Sequence, residues 1–173
     1  MRWLLWLPLA LFVAVVVVVM SGLIRPPSTD IRSQLVGKPM PDFALPAAVP
    51  GHPPLKRADM AGKPRLLNIF ASWCIPCAVE APQLMALKRA GVEVDGIAIR
   101  DRPEDLAVFF TRYGDPYGRI GGDKDSRVQL ALGSSGVPES FVIDARGVIR
   151  LQHIGDIRAE EVPSILAAIE AAR

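Results

Sequence analysis

An α/β domain with a mixed β-sheet flanked by helices, preceded by one N-terminal transmembrane helix, is the fold class that the sequence predicts. Three observations predict it. An uncharged apolar stretch runs from Trp3 to Ile24, strand-like and helix-like runs alternate from Leu66 to Tyr113, and two β-branched runs near the end are separated by Ala145-Arg146-Gly147. Strand, helix, strand, helix in succession implies parallel strands joined by right-handed crossovers. Two extended runs across a short glycine-containing turn imply an antiparallel hairpin.

The first element lies between Arg2 and Arg25 and includes the almost unbroken run Val13–Val19. At about 1.5 Å of rise per residue it can cross a hydrocarbon layer of roughly 30 Å, so residues 1–25 are expected to be a membrane anchor. A cleaved signal peptide is the competing reading, but the apolar core exceeds the usual ~7–15 residues and no Ala-x-Ala site follows. Trp3 and Trp6 suit the membrane interface. Arg2 and the amino terminus on one side balance Arg25 and Arg32 on the other, so loop charge alone does not orient the span. Pro26, Pro27, Ser28 and Thr29 give it a polar, non-helical exit; residues 26–36 read as a tether and residues 37–173 as the folded domain.

Within that domain, residues 37–60 are proline-rich and poorly periodic, which predicts an extended lead-in with short edge strands at most. Leu66–Phe70 suits a central buried strand. Ala78–Arg89 places Val79, Leu84 and Leu87 at helical spacing, with Pro82 expected to kink the helix. Val94–Ile99 reads as a second buried strand. Pro103–Tyr113 reads as a helix that turns Leu106, Phe109 and Phe110 to a core, with proline at its start and Gly114 after its end. Arg127–Leu132 adds a short helix. Ser140–Asp144 and Val148–His153 form the hairpin, and Ala159–Ala172 closes the chain as an amphipathic helix that tolerates Pro163 in its first turns.

Composition narrows the function. The 173 residues are half hydrophobic and 22% charged, enough apolar surface to fold one domain and far from a disordered tail. All 18 acidic residues lie beyond residue 29, where they meet 18 basic ones; a neutral domain with 6% aromatics lacks the footprint for phosphate backbones, so no nucleic-acid partner is expected. With two cysteines, and with His52 and His153 far apart, a four-ligand zinc site is not expected either, and no metal is assigned.

The chemistry concentrates in Cys74-Ile75-Pro76-Cys77, directly after the first buried strand and at the start of a helix. Unsatisfied N–H groups and the helix dipole stabilise a thiolate there, which makes Cys74 the expected nucleophile. A thiolate that attacks a disulfide leaves a mixed disulfide, and a second thiol nearby must expel the product; Cys77 suits that role. Pro76 sets φ for the first helical turn, and Ile75 offers an apolar approach. The other readings fit less well. A structural disulfide closing so small a loop gains little entropy. Haem attachment requires His where Ala78 stands, and a peroxidase resembling peroxiredoxins would want a hydroxyl residue where Ala71 stands. A second feature is Gly136-Val137-Pro138-Glu139, just before a strand. It is either a plain turn proline or a cis bond that presents the Val137 backbone to an extended client peptide beside the cysteines.

Trp73-Cys74-Ile75-Pro76-Cys77 after an apolar strand, with Val137-Pro138 far downstream, resembles thioredoxin-fold proteins. More narrowly, Leu66–Cys74, Glu80, Gly136–Asp144 and His153-Ile154-Gly155-Asp156 resemble the DsbE/CcmG-type thiol:disulfide interchange proteins of cytochrome c maturation, over roughly residues 36–157 and the anchor. The resemblance implies a thioredoxin-like domain held in the periplasm by a single pass through the bacterial inner membrane. It implies a reductant of the haem-binding cysteines of apocytochrome c, recharged by a membrane thiol reductase of the DsbD/CcdA type. The expected catalytic set is Cys74, Cys77, Pro138, Glu80 and Trp73, with Val137, Glu139, Ile75 and Pro76 meeting the client. No cofactor beyond the Cys74–Cys77 disulfide is expected. Glu80 and Glu139 match acidic positions near the family's active site, where a carboxylate can raise a thiol pKa or accept a proton. Ser135 departs from the tyrosine that relatives usually carry, which bears on the groove's shape. Two alternatives remain: a broader TlpA/ResA-like reductase with another client, and a non-catalytic holder that grips apocytochrome along the Val137 edge.

Overall fold

The computed structural model describes residues 6–24 and 34–173, which fall into two separate units. The first is helix α1 (Leu7–Ile24), 18 residues without a charge. At about 1.5 Å per residue this falls just short of a bilayer core, and among the described residues no helix is long and apolar enough to cross a membrane. Residues 1–5 of the expected anchor, Trp3 included, and residues 25–33, which hold most of the expected tether, lie outside the described residues.

The second unit opens with a two-stranded antiparallel hairpin, β1 (Ala44–Leu45) and β2 (Leu55–Lys56), in the region expected to hold edge strands at most. It continues as β3 (Arg65–Phe70), α2 (Ile75–Arg89), β4 (Glu93–Ile99), α3 (Pro103–Tyr113), β5 (Ile120–Asp123), α4 (Arg127–Ala131), β6 (Glu139–Ile143), β7 (Ile149–Ile154) and α5 (Val162–Ala171). The five longer strands form one sheet in the order β5-β4-β3-β6-β7. β3, β4 and β5 are parallel, while β6 runs antiparallel to β3 and β7 antiparallel to β6. All six residues of β3 are buried, as its apolar run requires of a central strand.

Two expectations are corrected. Helix α2 starts at Ile75 rather than Ala78, so the whole Ile75-Pro76-Cys77 segment is helical, and it runs on through Pro82. Strand β5 was not anticipated, because Ile120-Gly121-Gly122-Asp123 lacks the β-branched pattern of a strand. Its glycines answer a contact instead. A Cβ on Gly121 would sit 2.8 Å from the Leu45 Cβ, and one on Gly122 would sit 3.4 Å from the Ala48 Cα. The Pro46–Ala48 backbone lies along this edge, with Gly122 N donating to Pro46 O (2.8 Å) and Ala48 N to Ile120 O (2.9 Å). The outer strand therefore has no open ladder along this stretch.

The antiparallel β3/β6 register places the site. Ile69 pairs with Glu139, so the carboxyl end of β3, where the chain departs for Cys74, adjoins the amino end of β6, where Pro138 stands.

Candidate active site

Between β3 and α2 the chain makes a turn that the neighbouring parallel strand holds from the side. Asp101, just past β4, accepts from both the backbone N and the Oγ of Ser72, each at 2.6 Å. Trp73 Nε1 donates to Arg100 O at 3.3 Å. Arg100 has φ +48°, uncommon for a non-glycine residue, and its side chain donates to Ser126 Oγ at 3.1 Å. Cys74 then caps α2, its Sγ accepting from Cys77 N at 3.2 Å. The two cysteines are joined as a disulfide with Cα atoms 5.3 Å apart. Both are buried, Cys74 at 5% exposure and Cys77 at 2%, inside an apolar rim of Trp73 (57%) and Ile75 (79%) with Pro76 also exposed. The sulfur that receives an N–H at the first turn of a helix is the one best placed to carry negative charge. A shallow depression between Trp73 and the Val108–Arg112 face of α3 continues the rim.

Across the sheet, the Val137–Pro138 bond is cis, the second of the two alternatives the sequence left open. Pro138 is buried and Val137 half-buried. Glu139 differs from its expected place on the client surface. It is 0% exposed, and its carboxylate accepts from Ser134 Oγ (2.7 Å), from Ser135 N (2.9 Å) and, by a short bond, from Gln152 Nε2. A carboxylate so enclosed ties down the loop before Pro138 rather than touching a peptide. The same bonds show what Ser135 contributes: its backbone meets Glu139 while the residue itself stays exposed.

Glu80 lies one turn beyond Cys77 on the same face of α2 and is 0% exposed. Its Oε1 accepts from Asn68 Nδ2 at 2.9 Å and its Oε2 from Ile157 N at 3.1 Å. Burial pushes its pKa up to about 7, against the two hydrogen bonds and with some help from the nearby Asp156. Asn68 also donates to Ser140 Oγ (3.0 Å) and accepts from the Tyr117 hydroxyl (2.7 Å). Asn68, Ser140, Tyr117 and Asp101 were not singled out from the sequence. The available signal was Asn68, a polar residue interrupting the apolar run of a strand destined for the core. Among the described residues no cluster of three His, Cys, Asp or Glu is placed to hold a metal ion.

Comparison with known proteins bears on this arrangement. The Redoxin family profile matches residues 35–169. The chain is 42% identical over 156 residues to the thiol:disulfide interchange protein DsbE of Pseudomonas fluorescens biotype C, covering 90% of this chain and 86% of that one. It is 36% identical over 163 residues to the protein of the same name from Escherichia coli (strain K12), covering 90% and 87%. A crystal structure described as a DsbE from Chlorobium tepidum superimposes with a TM-score of 0.64 at 28% identity, covering 79% of this chain and 96% of that one.

Proposed function

We propose, on the premise that the chain belongs to the Redoxin family and to its DsbE-type thiol:disulfide interchange branch, that it is a dithiol reductant anchored in the bacterial inner membrane that keeps the haem-binding cysteines of apocytochrome c reduced. Its reaction is thiol:disulfide exchange with cysteine-containing client proteins. The observation that carries the reading is the Cys74–Cys77 couple at the first turn of α2, with Cys74 Sγ already accepting the Cys77 N–H.

In the reduced state the Cys74 thiolate attacks one sulfur of a client disulfide. A Cys74–client bond forms, the client's S–S bond breaks, and the departing client sulfur takes up a proton. Cys77 then gives its proton to Glu80 and, as a thiolate, attacks Cys74 Sγ; the mixed disulfide breaks and the client's second sulfur leaves and is protonated. Two electrons have passed to the client and the protein is left as the Cys74–Cys77 disulfide, the form the structure presents. Glu80, titrating near neutrality, is matched to that proton transfer. Trp73, Ile75, Pro76 and Val137 form the apolar surface that receives the client chain around Cys74, next to the cis Pro138.

The anchor is the uncharged stretch Trp3–Ile24, and the periplasm is the compartment in which such a reductant is needed. Held out of equilibrium with its surroundings, the couple requires a membrane thiol reductase of the DsbD/CcdA type to recharge it, and no organic cofactor. The test is capture in cells with Cys77→Ser, which stalls exchange at the mixed disulfide. Apocytochrome c linked through Cys74 is the expected product. Capture of a copper-site assembly protein instead would transfer the protein to another client. Full restoration of cytochrome c assembly by the Cys74→Ser/Cys77→Ser double variant would reduce it to a holder.

A further inference from the structure

We infer that Tyr117 and Asn68 are positioning residues that govern how tightly Glu80 holds its proton, because the Tyr117 hydroxyl fixes which end of the Asn68 amide faces the Glu80 carboxyl. This deepens the reading in which Glu80 takes the Cys77 proton, and rests on it for its consequence in exchange.

An asparagine amide has a donor end and an acceptor end of nearly the same shape, so its orientation is set by its partners. Here the partners leave one choice. The Tyr117 hydroxyl lies 2.7 Å from Asn68 Oδ1, and Tyr117 is buried at 4% exposure, with a pKa held well above 10 chiefly by that burial and also by Glu80 and Asp115. The phenol keeps its hydrogen and donates it to Oδ1. The NH2 end must then face the other way, where it gives one hydrogen to Glu80 Oε1 (2.9 Å) and the other to Ser140 Oγ (3.0 Å). With Ile157 N on Oε2, both carboxyl oxygens of Glu80 receive donors, an environment that favours the anion. Turned round, Asn68 would set its oxygen against Oε1, and only a protonated Glu80 could face it.

Tyr117 is itself held rigidly. Its ring stacks on Phe70 with centroids 4.5 Å apart, and its backbone N donates to Asp115 Oδ1 at 3.0 Å. Gly96 leaves the space: a Cβ there would come within 2.9 Å of the Tyr117 ring and 2.8 Å of Phe70. Among the described residues, the titratable groups around Glu80 are Cys77 on its own helix, Tyr117 beyond Asn68, Asp156 from the segment after β7, and His153 of β7, which pairs with Ser140 and whose ring lies 3.4 Å from Asp156 O; Asp115 acts on Tyr117. No cation among the described residues bonds to Glu80, so the amide's orientation sets the adjustable hydrogen bond on the carboxyl.

The experiment follows the Glu80 carboxyl by carbon-13 NMR in the full-length chain in detergent micelles, reduced, with the resonance assigned by its loss in Glu80→Gln. Tyr117→Phe releases the amide, and the titration midpoint is expected to move alkaline by about one pH unit, a tenfold tighter hold on the proton. Ser140→Ala leaves the Tyr117–Asn68–Glu80 chain intact and should not move it alkaline. For a test that does not depend on Tyr117→Phe folding, 3-fluorotyrosine is incorporated in a Tyr113→Phe background, where Tyr117 is the one tyrosine of the chain. The more acidic phenol donates more strongly, and the midpoint should move acid. A folded Tyr117→Phe protein with an unmoved or acid-shifted midpoint, or a fluorinated protein that titrates like its parent, overturns the inference. If the carboxyl titration moves while the pH profile of exchange does not, the positioning holds and Glu80 loses its role as the proton partner of Cys77.

Discussion

Two carboxylates in this domain have almost no exposed surface, Glu80 at 0% and Asp144 at 3%, but Glu80 lies deep in the domain while Asp144 sits just beneath the surface under the exposed Arg146 and Arg150, and they titrate at opposite ends of the scale. Burial raises the pKa of both. For Glu80 the opposing forces are two N–H donors, from Ile157 and Asn68, and the value settles at about 7. Asp144 also accepts two backbone N–H groups, from Val148 (2.9 Å) and Arg146 (2.8 Å), but adds two bonds from the Arg150 guanidinium at 2.7 and 2.8 Å, and falls to about 2. Hydrogen bonds offset part of the desolvation; the shallower site of Asp144 and the Arg150 cation together account for the rest. Asp144 pins the turn between β6 and β7 at the end of the sheet away from the cysteines, where permanent charge serves structure. Glu80 lies beneath the cysteines with no cation bonded to it among the described residues, and stays in the range where a proton moves at neutral pH.

The largest effect should come from removing the group that titrates. Glu80→Gln is expected to slow exchange about 100-fold at pH 7, as loss of a positioned base does, and to abolish the inflection near pH 7 in the rate profile. Its stability effect runs the other way. The folded pKa of about 7 lies above the ordinary 4.5, so the folded state binds the proton more tightly, and ionisation weakens the fold progressively as pH rises from 4.5 to about 7. Above that range the cost is about 3 kcal/mol. Glu80→Gln should therefore be more stable than the parent at pH 8, by that amount less what its NH2 loses facing a donor, and gain nothing at pH 4. Urea unfolding of the oxidised proteins at both pH values checks this, and a difference that ignores pH would break the contrast with Asp144.

A smaller effect is expected at Glu139, which shows how far the sequence could be read. The cysteine pair, the strand before it and the helix after it were legible, because each is announced by residues adjacent in the chain; Pro138 stood between a plain turn and a cis bond beside the cysteines, and the structure takes the second. The supporting interactions were not. Asn68 acts through Tyr117 and Ser140, 49 and 72 residues away, and in the sequence it is one letter within an apolar strand. Strand β5 stayed hidden because Gly121 and Gly122 answer to Leu45 and Ala48 rather than to local propensity. Glu139 was legible as a residue of the site but not in its direction, since its donors come from a serine loop and from β7. Glu139→Ala should cost about 2 kcal/mol, the price of leaving buried donors without an acceptor. Hydrogen exchange at the Ser135 amide should quicken by a factor of ten or more while the β3 and β4 amides exchange as before. Uniform acceleration across the sheet would mean that Glu139 supports the fold as a whole.

The smallest effect should be at Asp144, and its sign completes the comparison. The folded pKa of about 2 lies below the ordinary 3.8, so the ionised form stabilises the fold. That contribution is fully present above pH 3.8 and disappears as pH falls through 2. Arg150 is 38% exposed, so solvent screens the pair and the contribution is about 1–2 kcal/mol rather than the whole pKa difference. Asp144→Asn should lower the urea midpoint at pH 7, converge on the parent near pH 2, and leave the rate and pH profile of exchange unchanged, because the turn it holds lies at the far end of β6 from Pro138. If Asp144→Asn instead shifted the exchange profile, the two ends of the sheet would be coupled, and the separation of a structural carboxylate from a proton-transferring one would have to be abandoned.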